Sequence, residues 1–127
     1  MATIADLSQA MFGVEGVNPH FTPNNNPGNL VFAGQNGAVL GAGGFAKFPT
    51  YDAGVAAAQA QITLDLTRGT DITGRPTTTL SELIKSWSTT DQSTYISTVA
   101  ANTGIDPNAD LSAQLGFPPR GKAHHKG

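Results

Sequence analysis

Cysteine is absent from all 127 residues, which excludes a disulfide framework and any cysteine-ligated zinc site. No stretch approaches the roughly 20 apolar residues of a membrane-spanning helix. Charge is scarce too, at 13% of residues, with a formal net charge of -2. Only Lys47, Arg68, Arg75 and Lys85 supply positive charge before residue 120; Arg120, Lys122 and Lys126 follow. Without a basic stripe, nucleic acid is excluded as the main partner. Met1 to Asp6 has neither the basic start nor the apolar run of a signal peptide. The expected route is synthesis in the cytoplasm, with something else carrying the protein to an outside target. No Gly-x-Ser-x-Gly elbow and no Gly-Lys-Ser/Thr phosphate loop is present, and Gly41 to Gly44 precedes a strand-like segment rather than a helix. No cofactor is expected.

The chain does contain 15 glycines, 8 prolines and 39% hydrophobic residues, the mixture of a small globular domain with a polar surface. Its length suits one core and not two. One domain over residues 1–116 is expected, followed by a flexible tail over 117–127.

Helical periodicity predicts a first helix over residues 4–14, with Thr3 as N-cap, Asp6 closing a capping box and Gly16 ending it. An Asn/Pro-rich loop over 17–29 follows. Residues 30–33 and 45–48 read as short strands of an irregular hairpin joined by a glycine-rich connection. A second helix over about 51–68 carries Val55, Ala58, Ile62 and Leu66 inward, and its alanines permit close approach by another helix. Thr79 and Glu82 cap a third helix over 80–87. Asp91 opens a fourth that runs to about Thr103, with Tyr95, Val99 and Ile96 facing inward and Gly104 ending it. The fold class is α+β, mostly α, with a small β-hairpin lining a cleft.

Most acids occupy places that local rules explain. Asp6, Asp52, Glu82 and Asp91 stand at helix starts, where negative charge stabilises by ~0.3–1 kcal/mol. Asp65 has Arg68 three residues on, and Asp71, Asp106 and Asp110 sit in turns. Glu15 breaks the pattern. It closes the first helix in register with Ile4, Leu7 and Met11, at the negative end of the dipole. A carboxylate facing the core there is expected to be partly desolvated and to hold its proton, as a glycosidase general acid does. An ordinary exposed helix end is the rival reading.

The run Pro23-Asn24-Asn25-Asn26-Pro27-Gly28-Asn29-Leu30 also has two readings. Asparagine and glycine tolerate left-handed backbone, so a turn explains it. Alternatively, Asn25, Asn26 and Asn29 offer amides to the hydroxyl and N-acetyl groups of a sugar, with Phe32, Phe45, Phe48 and Tyr51 nearby. His20 reads as a solvated loop residue, and the pair His124 and His125 lacks further ligands, so no metal site is expected.

Val14-Glu15-Gly16, the Asn-Asn-Asn-Pro-Gly-Asn loop, Gly44-Phe45-Ala46-Lys47-Phe48-Pro49-Thr50 and the alanine-rich helix together resemble phage and prophage lysozyme-like proteins. These are endolysin-like, lytic transglycosylase-like or virion structural domains. Trp87 to Ile96 and Thr103-Gly104-Ile105-Asp106-Pro107 extend the resemblance over residues 3–116. It departs at Thr89 and Thr90, where the family usually has prolines, and at Pro23, where an arginine is common. The resemblance implies a lysozyme-like fold and cleavage of the β-1,4 bond in peptidoglycan glycan strands. In that reading Glu15 is the acid, Asn25, Asn26 and Asn29 bind substrate or shape the loop, and Tyr95 hydrogen-bonds near the reacting sugar. Asp52 or Asp91 is the candidate second carboxylate; without one, a single glutamate serves as acid and then base, as in lytic transglycosylases. Action at the periplasm or cell wall, or carriage in a virion with other phage virion or lysis proteins, is the implied setting. The alternative is a non-catalytic virion structural or cell-wall-binding protein with the same fold. A peptidase or amidase would need a nucleophile or metal centre that this sequence does not assemble.

Overall fold

The computed structural model describes residues 1–67, 76–89 and 91–117. Within them lie five α-helices and one two-stranded antiparallel sheet: α1 Ile4–Glu15, β1 Val39–Leu40, β2 Ala46–Lys47, α2 Tyr51–Thr67, α3 Leu80–Trp87, α4 Gln92–Thr103 and α5 Leu111–Gln114. The chain is mostly helical, as its periodicity requires.

Local chemistry sets the helix ends. The Thr3 hydroxyl accepts from the Asp6 amide and the Asp6 carboxylate accepts from the Thr3 amide, a complete capping box. Gly16, at φ 72°, supplies the left-handed residue that stops α1. Thr79 caps α3 as expected, while the Glu82 carboxylate reaches one residue further back, to the amide and hydroxyl of Thr78. Asp91 caps α4 through the Thr94 amide, and Asp110 caps the short α5, which periodicity did not reveal.

Helix α1 packs on α4 and α2, and α3 packs on α4. Their inner faces form one core from Leu7, Met11, Ile62, Leu66, Leu80, Leu83, Ile84, Tyr95, Val99, Ile105, Leu111 and Leu115. Burying each of the larger side chains contributes roughly 1.5–3 kcal/mol. Leu30, Ala46 and Phe48 make a smaller cluster under the hairpin, and Trp87 touches both clusters. Phe117 also packs on the main core and donates its amide to the Ser112 carbonyl. The remainder of the expected tail, with Arg120, His124 and His125, lies outside the described residues, as do Arg68, Asp71 and Arg75.

The hairpin departs from expectation. Val39–Leu40, assigned to the glycine-rich connection, forms the ladder with Ala46–Lys47, while Val31 meets Phe45 in a single bridge. The cause is Asn26. Its buried amide donates to the Leu30 and Ala46 carbonyls at 2.9 Å each and its Oδ1 accepts from the Leu30 amide at 2.9 Å. The side chain thereby adds to the backbone bond between Ala46 and Leu30. Helix α2 is approached by α1, as expected, and also by the Asn-rich loop: a Cβ on Gly54 would lie 1.8 Å from the Asn25 carbonyl oxygen, and one on Gly28 would lie 3.0 Å from the Ala58 Cβ. Ala56 and Ala60 face outward.

Candidate functional site

The end of α1 and the loop that follows enclose a cleft of about 260 Å³. Its walls include Glu15, Asn18, Phe21, Thr22, Pro27 and Asn29. The loop holds its shape through asparagines in left-handed backbone, Asn24, Asn25 and Asn29 having φ of 59°, 51° and 53°. Most residues would lose ~1–2 kcal/mol there, and asparagine loses less because its short side chain bonds locally.

Glu15 is exposed, which corrects the expectation that its carboxylate faces the core. Leu7, Ser8, Met11 and Phe12 form the buried stripe of α1, but the chain turns away at Gly16 and leaves the next turn at the core's rim. The partner of Glu15 comes from α4: the Tyr95 hydroxyl lies 3.1 Å from Glu15 Oε2 and 3.4 Å from the Met11 carbonyl. Tyr95 itself is buried. Burial, and then the Glu15 charge and hydrogen bond, push its hydroxyl far above the usual tyrosine range, so it remains a neutral donor. Tyr95 sits behind the carboxylate and anchors it.

The asparagines divide by role. Asn26 is buried and its three hydrogen bonds all go to backbone, and the Asn25 amide donates to the Phe48 carbonyl at 3.0 Å. Both shape the loop. Asn29 is exposed on the cleft wall. Neither Asp52 nor Asp91 reaches the cleft: Asp52 lies in the first turn of α2, and Asp91 is occupied as the α4 cap. Among the described residues Glu15 is the one carboxylate that lines the cleft.

Of the aromatics expected near the site, none lines the cleft, and Phe48 is a core residue at 1% exposure. Phe21 lines it instead. The signal was available, since an aromatic in Asn18-Pro19-His20-Phe21-Thr22-Pro23 has no helix or strand to bury it. His20 is exposed on the same turn but outside the cleft lining. A larger hollow of about 790 Å³ lies at the far end of α1. Its carboxylate, Asp6, is engaged in the α1 cap, so volume alone does not mark the site. Among the described residues the buried acid is Asp65, which accepts from Gln61 at 2.9 Å; its neighbour Arg68 lies outside them.

Among the described residues no group of three or more His, Cys, Asp or Glu gathers as a metal site, and no helix is long and apolar enough to cross a membrane. No protein-family model, curated protein or solved structure matches the chain.

Proposed function

We propose that this protein cleaves the β-1,4 bond of peptidoglycan glycan strands, with Glu15 as the proton donor. The observation that carries the reading is the anchored carboxylate: Glu15, held at Oε2 by the buried Tyr95 hydroxyl, opens onto a cleft whose other described lining residues are neutral. Positioning a proton donor within about 3 Å of the reacting oxygen is the geometric requirement for general acid catalysis. The resemblance of the Glu15 and Asn-loop segments to lysozyme-like proteins supplies the substrate class.

The absence of a second carboxylate from the cleft lining favours a one-glutamate course. Two-carboxylate glycosidases hold their acids about 5–9.5 Å apart across the sugar. Here Glu15 would give its proton to the glycosidic oxygen as the C–O bond breaks. A hydroxyl of the same sugar would then close on the anomeric carbon and return its proton to Glu15. One bond breaks, one forms, and no water is consumed.

The test is mass spectrometry of purified sacculi incubated with the protein. Release of muropeptides with anhydro ends is the expected result, and Glu15→Gln should abolish it. Reducing ends would assign hydrolysis instead. Failure of the wild-type protein to release any fragment would leave a non-catalytic wall-binding or virion role as the reading.

A further inference from the structure

Phe21 is 80% exposed, more than any other large apolar side chain described except Met1. It is not a loose side chain on a loose loop. The Phe21 amide donates to the Asn18 carbonyl at 3.0 Å, the Thr22 hydroxyl donates to the same carbonyl at 2.5 Å, and the His20 amide donates to Asn18 Oδ1 at 2.9 Å. Pro19 and Pro23 stiffen the flanks. The ring therefore stands out from a fixed turn at the wall of the cleft that holds Glu15.

We propose that Phe21 is a stacking platform for a pyranose ring of the glycan strand, placed to seat the strand beside Glu15. The inference rests on the reading of the cleft as a glycan site. A pyranose carries C–H bonds on its faces and hydroxyls around its edge. An aromatic ring takes the face, because its electron-rich surface attracts those C–H groups. Neutral groups take the edge, and Asn18, Thr22 and Asn29 line the same cleft. Among the described residues no lysine or arginine lines it, so none of them offers a phosphate-bearing ligand a counter-charge there. A platform of this kind grips the sugar equally before and during the reaction. It acts on KM and leaves kcat nearly unchanged.

Three variants test the platform: Phe21→Ala, Phe21→Trp and the double variant Glu15→Gln/Phe21→Ala. The readouts are retention on purified sacculi and turnover kinetics on solubilised glycan strands. Phe21→Ala should raise KM about tenfold at similar kcat, and Phe21→Trp should restore it. In the Glu15→Gln background, where strands are not cut, removing Phe21 should weaken retention by a similar factor. Melting temperature should not move, because the ring is not in the core. Cleavage by the wild type with KM and retention indifferent to Phe21 overturns the platform and leaves the glycosidase reading intact. Neither cleavage nor retention by the wild type overturns both.

Discussion

The Tyr95 hydroxyl reaches Glu15 Oε2 at 3.1 Å across 80 residues of sequence, tying the middle helix of the C-terminal half to the last turn of α1. One oxygen of the carboxylate is thereby occupied. The anchor is buried while the group it anchors is exposed.

Removing the anchor should separate positioning from chemistry. Tyr95→Phe keeps the ring in the core and deletes the hydroxyl, at a stability loss of about 1 kcal/mol. Its activity on sacculi should fall about tenfold, since the carboxylate loses its fixed orientation. Glu15→Gln should fall by at least ~100-fold, the usual contribution of a general acid. Muropeptide release rates check both, and equal loss in the two variants would show that Tyr95 does more than position.

Asn26 should behave as a structural residue despite its place on the cleft wall. Asn26→Asp preserves shape but turns an amide that donates to the Leu30 and Ala46 carbonyls into an oxygen facing two oxygens. A loss of roughly 2–4 kcal/mol is expected, from two unmade hydrogen bonds in a buried place. Asn29→Ala, in exposed left-handed backbone, should lose only about 1 kcal/mol. Urea denaturation of the two variants measures the difference.

Helix ends were legible because capping is a local affair: Thr3, Asp6, Gly16, Thr79 and Asp91 announce themselves within four residues. The hairpin was not, because its ladder joins Val39–Leu40 to Ala46–Lys47 and its brace comes from Asn26, 20 residues away, and neither leaves a periodic pattern in so short a strand. Glu15 was singled out by its conflict with its surroundings, yet the expected cause was wrong. Helical register placed it on the buried stripe, whereas the turn at Gly16 determines what covers that stripe. Tyr95 showed as an inward residue of α4, but its hydrogen bond to Glu15 depends on how α1 crosses α4. Such crossings are long-range packing, which spacing alone does not encode.

Two glycine positions should respond oppositely to alanine. Gly54→Ala drives a Cβ to 1.8 Å from the Asn25 carbonyl oxygen, so α2 and the cleft loop must part. The expected loss is roughly 2–3 kcal/mol or more, together with loss of sacculus cleavage. Gly13→Ala, within α1, meets nothing within 4 Å and gains helix propensity. It should stabilise by about 0.5–1 kcal/mol. Thermal melts of both variants provide the comparison, and a neutral Gly54→Ala would refute the close contact between loop and helix.

Alkaline pH should weaken the fold through Tyr95. Its hydroxyl ionises at about pH 10 in the unfolded chain. In the folded protein the ionisation is pushed upward, chiefly by burial and then by Glu15. Between those points the unfolded state has released a proton that the native state keeps, so stability falls as pH rises. The contribution is complete below about pH 10 and is drained progressively above it. Tyr51 shifts in the same direction, from burial and the Asp52 charge, and is the necessary control. Denaturant midpoints from pH 8 to 11 should decline steeply above about pH 10 in the wild type and in Tyr51→Phe. In Tyr95→Phe that decline should be largely flattened. A slope unchanged by Tyr95→Phe would mean that the buried hydroxyl is not what the alkaline limb reports.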